Sequence, residues 1–246
     1  MTRGMKTPRQ AETVEADPPP SRISLVPALL VWLEGQPGHR PTDRHGLTFP
    51  VIAMPVCEGS SKGIRNRCLI RTAEPCAPVL TELWTNHRQP VLVEEFIAGD
   101  EVTVGILGNT PPEVLGCMKV VPNTPSKEFV FSLEVKRNWE QLVTCECPAK
   151  MPQAVQQSLE QEALTAYEAI GCRDVARLDF RIRDGVPYFI EVNPLPGLNP
   201  VRGALILISK AMGVSHAEVI GRILKAAMAR TEGYVPPASR TSRVRA

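Results

Sequence analysis

Two consecutive strand-like runs, joined by a turn at Asp184-Gly185, constrain this 246-residue chain more than any other stretch. Side chains alternate between the two faces of a strand, so residues of like parity in one run share a face. The first run carries Arg177 and Asp179, and the second carries Glu191 and Asn193. The even positions are predicted to face a core; they are Leu178, Phe180, Ile182, Tyr188, Ile190 and Val192.

The length of the turn decides whether the two polar pairs share one face. A two-residue loop would pair Asp179 with Ile190 and turn Glu191 to the other side of the sheet. A three-residue loop over residues 183–185, with Gly185 in the left-handed conformation, brings all four polar groups to one face. We therefore expect the three-residue loop.

Two carboxylates and an amide oxygen on one face repel one another unless a cation lies between them. Hard oxygen ligands of this kind suit Mg²⁺, which prefers a few carboxylates plus phosphate oxygens. The alternative is an ordinary hairpin with a solvated polar face. The clustering of the polar groups and the Pro-Leu-Pro-Gly bend at residues 194–197 favour the metal site.

The runs Ala-Arg-Leu-Asp-Phe at 176–180 and Ile-Glu-Val-Asn-Pro-Leu-Pro-Gly-Leu at 190–198 resemble the C-terminal catalytic segment of ATP-grasp enzymes. They are most similar to D-alanine–D-alanine ligases and their relatives, over about residues 47–230. The resemblance implies an α+β ATP-grasp fold, in which two α+β lobes hold a nucleotide between them. The expected division is a disordered leader with a possible short helix (1–46), a small lobe (47–95), a large lobe with the metal site (96–230) and a tail (231–246).

The resemblance also assigns roles to individual residues. The expected ligands of two Mg²⁺ ions, or of Mn²⁺, are Asp179, Glu191 and Asn193. Arg177 and the backbone N–H of Gly197 would stabilise charge on the reacting groups. The expected nucleotide contacts are Ser60 and Ser61 in a loop over the phosphates, Glu94, Glu95, Phe96 and Ile97 at the adenine hinge, Glu101 at the ribose, and Lys136 at the phosphates.

Several of these roles have a structural alternative. The loop at residues 58–63 could be a plain turn, and Glu94 could be a strand end that reaches solvent. Lys136 could be a surface lysine, and Arg177 could serve only to pair with Asp179 or Glu191.

The chain also departs from the family pattern. Met54 stands where the family has a phosphate-binding lysine, although Lys62 could substitute for it. Arg137 stands where D-alanine ligases usually have a tyrosine, and a residue near Arg202 replaces their acceptor-site serine. The family's N-terminal substrate domain is not recognisable in the leader.

The implied activity is that of an ATP- and Mg²⁺-dependent carboxylate–amine ligase of the D-alanine–D-alanine ligase type, acting through an acyl phosphate. We expect the chain to be a truncated form of such a ligase. Its substrate would be a small amino acid or another carboxylate. The alternative is a non-catalytic nucleotide-binding remnant, indicated by Met54 and the truncation.

Composition limits the partners. A net charge of +2 favours no polyanion, and no apolar run approaches the roughly 20 residues that span a bilayer. Seven cysteines without metal-binding spacing predict free thiols in a reducing cytosol. We expect neither a nucleic-acid nor a membrane partner; the oligomeric state is left open.

Overall fold

The computed structural model describes residues 23–31, 47–59, 61–126 and 128–231. These residues form two antiparallel sheets with helices packed on them. The strands are β1 (Ala28–Val31), β2 (Val51–Pro55), β3 (Leu69–Ile70), β4 (Val91–Glu95), β5 (Asp100–Leu107), β6 (Glu113–Pro122), β7 (Val143–Glu146), β8 (Val175–Arg183) and β9 (Val186–Asn193). The helices are α1 (Cys76–His87), α2 (Leu133–Arg137), α3 (Trp139–Leu142), α4 (Gln153–Ile170), α5 (Ala204–Ala211) and α6 (His216–Thr231).

The small sheet has the strand order β1-β4-β2-β3 and is covered on one face by α1. Val51, Ala53 and Val93 are fully buried against that helix, whose Leu80 and Leu83 point inward. The intervening residues of β2 and β4 therefore face the other way, toward the second sheet.

The N-terminal strand of this sheet corrects one expectation. The sequence suggests a possible short helix in the leader, at residues 24–34. For the described residues of that range it is wrong, because residues 28–31 form β1 and pair with β4 from Ala28 opposite Glu94 to Val31 opposite Val91. A short apolar run is compatible with a helix or a strand. Here the backbone groups on the free edge of β4 are available for hydrogen bonding, and the run pairs with them as a strand.

The segment that leads into β1 contacts both sheets. The Ser24 carbonyl accepts a hydrogen bond from the Phe189 N–H on β9 at 3.0 Å, and the Pro27 carbonyl accepts one from the Glu95 N–H on β4 at 2.9 Å. Residues 23–31 therefore connect the outer strand of the large sheet to the small sheet.

The large sheet has the order β7-β6-β5-β8-β9. The even-numbered residues of its central strands, such as Val104 and Leu178, are fully buried under α4. On the opposite face, α5 covers only one end of the sheet, where a Cβ on Gly105 would lie 2.7 Å from Leu205. The other end of that face, around Thr103 and Asp179, is left for the site described below.

The helical spacing of Leu159, Ala163, Ala166 and Ile170 in the sequence predicts an amphipathic helix, and α4 confirms it. Leu159, Ala163 and Ala166 are buried, and Gly171 ends the helix with φ of 76°. Ile170, predicted on the buried face, is 52% exposed, and Tyr167 takes the inner position instead.

Two further predictions concern cysteines and membranes. All seven cysteines are free thiols, as expected. Among the described helices none is by itself long and apolar enough to cross a bilayer; α5 and α6 would reach that length only as a pair bent by 111°.

Candidate active site

The hairpin of β8 and β9 forms the floor of the candidate site, and its turn differs from the expectation. Asp184 and Gly185 have φ values of 54° and 81°, as in a two-residue type I′ turn. The three-residue loop is therefore wrong. The offset arises within the strand instead: Phe180 pairs with Phe189 but Asp179 pairs with Glu191, so Ile190 is an extra residue at a β-bulge.

The bulge produces the common polar face that the loop was expected to produce. Asp179 lies opposite Glu191, and Arg177 lies opposite Asn193. The bulge also changes which aromatic residue meets the core. Phe189 packs on Phe180 with 5.7 Å between ring centroids. Tyr188, predicted in the core, lies on the polar face, where its hydroxyl accepts a hydrogen bond from Arg183 at 3.1 Å.

The four hairpin side chains form one hydrogen-bonded group. Arg177 pairs with Asp179 at 2.7 Å and with Glu191 at 3.4 Å. Asn193 donates to Glu191 at 3.0 Å, and Thr103 on β5 donates to Asp179 at 2.7 Å. Burial raises the pKa of Asp179, while the charge of Arg177 opposes the rise. The Arg177 Nε is buried and has no hydrogen-bond partner among the described residues, so the group has an unused donor.

The end of β4 brings acidic and aromatic groups toward this floor. Burial, and then the charge of Glu191, raise the pKa of Glu94 to about 7, so Glu94 lies within electrostatic reach of the hairpin. Glu95 instead pairs with Arg183 at 3.1 Å. Phe96 and Ile97 are buried, and the Phe96 N–H donates to the Pro50 carbonyl at 2.8 Å.

Glu101 and Lys136 interact electrostatically with each other and with the hairpin residues. Glu101 accepts a hydrogen bond from Arg181 at 3.2 Å, and burial raises its pKa to about 7. Burial lowers the pKa of Lys136, whose ammonium group lies 5.4 Å from the centre of the Phe131 ring. Lys136 also interacts electrostatically with Glu191, Arg177, Glu101 and Asp179, which places it near the hairpin floor.

The glycine- and serine-containing loop contacts the segment before α2. Ser61, with φ of 57°, donates its hydroxyl to the Phe131 carbonyl at 3.0 Å. The Leu133 N–H donates to the Ile64 carbonyl at 3.0 Å. Ser60 lies outside the described residues. In this arrangement the Ser61 hydroxyl binds protein.

The position of Met54 bears on the phosphates. Met54 lies opposite Leu92, and two residues earlier Ile52 lies opposite Glu94. Directly opposed residues share a face, so Met54 projects on the same side of the small sheet as Glu94. The apolar side chain of Met54 therefore lies on the face of the small sheet that is directed at the cleft between the two sheets.

The bend after β9 is fixed by its own hydrogen bonds. Asn199 Oδ1 accepts from the Val201 and Arg202 N–H groups at 2.9 and 3.0 Å. A Cβ on Gly203 would lie 2.4 Å from the Gly197 carbonyl, so the bend closes tightly there. Arg202 is exposed.

Sequence reasoning missed two residues of the site. Thr103 holds Asp179, and Arg181 holds Glu101. Arg181 has the same parity as Arg177 and Asp179 on β8, so the alternation that identified those two residues would also have indicated it.

Comparison with known proteins shows which family the chain is similar to. The family described as the D-ala D-ala ligase C-terminus matches residues 37–225. The chain belongs to this D-alanine–D-alanine ligase family. The D-alanine–D-alanine ligase of Syntrophotalea carbinolica is 35% identical over 182 residues, covering 74% of this chain and 55% of the relative. That of Desulforamulus reducens is 31% identical and covers 73% of this chain and 54% of the relative. The chain thus spans about half the length of these curated ligases.

Solved ligase structures share the fold. The D-alanine–D-alanine ligase from Bacillus anthracis complexed with ATP superposes with a TM-score of 0.66 at 20% identity, over 86% of this chain and 62% of that chain. The fold class is therefore the expected ATP-grasp arrangement of α+β lobes. The similarity to a Gluconobacter oxydans D-alanine–D-alanine ligase, at 29% identity, extends over 90% of this chain and 71% of that relative. The similarity to this relative therefore also includes residues before Leu47, in the segment expected to be a disordered leader.

Proposed function

We propose that this member of the D-alanine–D-alanine ligase family is an ATP- and Mg²⁺-dependent ligase that joins a carboxylate to an amine. The observation that carries the proposal is the opposition of Asp179 and Glu191, with Asn193 beside them, on the polar face of the hairpin. The nucleotide would lie between a small lobe, which contains the sheet of β1 to β4 with α1, and a large lobe (about 96–230).

The hairpin residues fit a magnesium site by their chemistry. Within the described residues no cluster of three or more His, Cys, Asp or Glu side chains forms a complete cage. Asp179, Glu191 and Asn193 instead supply two carboxylates and an amide, a donor set that leaves positions for phosphate oxygens. Bound there, two Mg²⁺ ions would supply positive charge against the triphosphate.

The remaining contacts would be divided along the cleft. Glu94, Glu95, Phe96 and Ile97 would meet the adenine, and Glu101 would accept from the ribose hydroxyls. Lys136 would contact the phosphates because its ammonium is already near the hairpin carboxylates. Ser60 and Ser61 would cover the triphosphate once the Ser61 hydroxyl leaves the Phe131 carbonyl.

In the proposed reaction, an oxygen of the substrate carboxylate attacks the γ-phosphorus of ATP, and the bond to the β,γ-bridging oxygen breaks to release ADP. The amine of the second substrate then attacks the acyl phosphate and loses a proton, and inorganic phosphate leaves. Arg177 would stabilise charge on the transferring phosphoryl group, and the Gly197 N–H would donate to the oxyanion of the tetrahedral intermediate. The names of the relatives favour D-alanine as both substrates.

Calorimetry with ATP, with and without Mg²⁺, tests the first part of the proposal. We expect binding that requires Mg²⁺. A second assay follows ADP release over a panel of D- and L-amino acids, with release expected for D-alanine. If ATP does not bind with Mg²⁺ present, the proposal is wrong.

A second candidate is a nucleotide-binding protein without ligase activity. Met54 supports it, because an apolar side chain on the cleft side of β2 cannot donate to a phosphate. Mg²⁺-dependent ATP binding without ADP release for any amino acid on the panel would favour this candidate.

A further inference from the structure

Arg181, on β8, is an arginine in the interior between the two sheets. Its side chain is only 9% exposed. It lies directly opposite Glu101 on β5, one row away from the pair of Thr103 and Asp179 on the same sheet. Arg181 therefore lies on the same face of the large sheet as the hairpin carboxylates, the face that borders the cleft between the two sheets.

The guanidinium group of Arg181 hydrogen-bonds to three acceptors in two separate segments, residues 99–101 and Phe129. It donates to Glu101 Oε2 at 3.2 Å, to the Gly99 carbonyl at 3.1 Å and to the Phe129 carbonyl at 2.9 Å. It also lies over the Phe96 ring, with Cζ 4.6 Å from the centroid. A planar group with five donors in a fixed fork is suited to such simultaneous contacts, which an ammonium cannot reproduce.

These contacts fix one oxygen of Glu101 and leave the other available. Oε2 accepts from Arg181, and among the described residues no donor is recorded for Oε1. A carboxylate accepts several hydrogen bonds, so Oε1 retains its capacity for donors that enter the cleft. Burial favours the neutral form of Glu101, and the charge of Arg181 is the main influence that lowers its pKa.

Arg181 has an unused donor of its own. Its Nε is buried and has no hydrogen-bond partner among the described residues, whereas both of its terminal nitrogens donate. A buried donor without a partner costs free energy, so the other contacts of the guanidinium must offset that cost to hold it in this position.

We propose that Arg181 is a positioning residue for nucleotide recognition, which holds the Glu101 carboxylate in the orientation that accepts the ribose hydroxyls. The inference rests on the proposed nucleotide-binding function and adds to it a residue that acts through Glu101. Phe96 limits the guanidinium on one side, and the Gly99 and Phe129 carbonyls fix its plane, so Glu101 has a rigid partner.

A purely structural role for Arg181 makes a different prediction. Through the Phe129 carbonyl, Arg181 also supports the segment that receives Ser61 at the Phe131 carbonyl. If this support were its only role, replacing Arg181 would lower the affinity for every nucleotide by the same factor. If it acts through Glu101, the loss falls on nucleotides that carry ribose hydroxyls.

The test compares the affinities of ATP and 2′,3′-dideoxy-ATP, each with Mg²⁺, by calorimetry. Hydrogen bonds from hydroxyls to a carboxylate should make the wild-type protein prefer ATP by roughly tenfold to a hundredfold. Arg181→Met keeps much of the length and the contact with Phe96 but removes the fork. We expect it to reduce this preference to about threefold or less, and Arg181→Lys to restore part of it.

Three further proteins complete the experiment. Arg183→Met, two residues along the same strand, removes an arginine that pairs with Glu95 instead and should keep the wild-type preference. Glu101→Gln should lose the preference, and the double variant of Arg181→Met and Glu101→Gln should lose no more of it. Circular dichroism and thermal unfolding of each variant establish that it is folded.

The outcomes separate this inference from the function on which it rests. A wild-type protein that binds no Mg²⁺·ATP overturns both. A wild-type protein that prefers ATP, together with a folded Arg181→Met or Arg181→Lys that keeps the full preference, overturns the inference alone. Equal weakening of ATP and dideoxy-ATP in both variants would show that Arg181 supports only the Phe129 segment.

Discussion

Asp179 and Glu191 lie directly opposite each other on neighbouring strands, and a single extra residue, Ile190, keeps their carboxylates on one face. Without that bulge the two-residue turn would direct Glu191 to the other side of the sheet. The candidate metal site therefore depends on an irregularity in the ladder as much as on the acids themselves. The bulge also places Arg177 opposite Asn193, which completes the polar group.

Glu191→Gln should abolish the Mg²⁺ dependence of nucleotide binding. The side chain is 59% exposed, so its neutralisation removes the proposed metal ligand without disturbing the core. We expect ATP affinity in the presence of Mg²⁺ to fall at least about tenfold, with an unchanged far-UV circular dichroism spectrum. Glu168→Gln, on the exposed face of α4, is the control. Binding of Mg²⁺·ATP by Glu191→Gln as tight as by the parent would refute the metal assignment.

Met54→Lys should strengthen ATP binding more than adenosine binding. Met54 projects on the same side of β2 as the neighbouring Ile52, which lies opposite Glu94, so a lysine there would reach toward the cleft. A new charge-assisted contact to phosphate contributes roughly 1.5–3 kcal/mol, or about a tenfold to hundredfold gain in affinity. Adenosine lacks the phosphates and should gain little.

Met54→Leu keeps an apolar side chain of similar volume and serves as the control for packing. Calorimetric titrations with ATP and adenosine give both affinities for each variant. Equal strengthening of the two ligands would assign the effect of Met54→Lys to packing. An unchanged ATP affinity would place residue 54 outside the phosphate site.

Glu94 should make the stability of the nucleotide-free protein depend on pH. Its pKa rises from 4.5 to about 7 on folding, so the folded state binds this proton more tightly than the unfolded chain. The free energy of unfolding should therefore increase as pH falls from about 7 toward about 4.5. Glu94→Gln should be more stable than the parent at pH 8, by about 2 kcal/mol after allowance for partial solvent exposure, and similar to it near pH 4.5.

Urea unfolding at several pH values measures this difference. Glu168→Gln again serves as the control and should follow the parent at every pH. Parallel curves for Glu94→Gln and the parent would show that Glu94 carries no such penalty.

Asn109→Ala should destabilise the large lobe. Asn109 accepts the Asp174 N–H at 2.7 Å, donates to the Asp174 carboxylate at 2.9 Å and donates to the Ala226 carbonyl of α6 at 3.1 Å. Its removal leaves a buried N–H unsatisfied, which costs about 1–3 kcal/mol. Thermal unfolding should show a fall in Tm of several degrees. Asn123→Ala, at an exposed asparagine, should change Tm much less, and equal shifts would contradict this assignment.

Local patterns predicted the elements whose form depends on neighbouring residues in the chain. The helix α4 follows from its apolar spacing, and Ser215 caps α6 by accepting the Glu218 N–H at 3.2 Å, as its position before that helix indicates. The polar face of the hairpin follows from alternation. The length of the loop could not be predicted from alternation, because a bulge and a longer turn both bring the polar residues to one face. The preference for a two-residue type I′ turn selects the bulge.

Features that depend on distant residues were not predictable in the same way. The short apolar run that forms β1 was considered a possible helix. Its strand form depends on β4, which lies about sixty residues away and could not be recognised as its partner. The contacts of Arg181 with Gly99 and Phe129 join segments far apart in sequence, so alternation places the arginine on the right face without revealing its partners. The assignment of Ser61 to the phosphates stays a prediction, because its hydroxyl contacts Phe131 in this structure.

The path of residues 23–31 bears on how the protein can be divided into fragments. The sequence suggested a boundary near Leu47, but β1 lies upstream of it and covers the outer edge of β4. A fragment that begins at Leu47 would expose the backbone N–H and carbonyl groups of β4, a surface that invites association with other strands. It would also lose the Ser24 and Pro27 carbonyls that accept hydrogen bonds from the two sheets. An expression boundary that retains β1 and both of these hydrogen bonds therefore lies before Ile23.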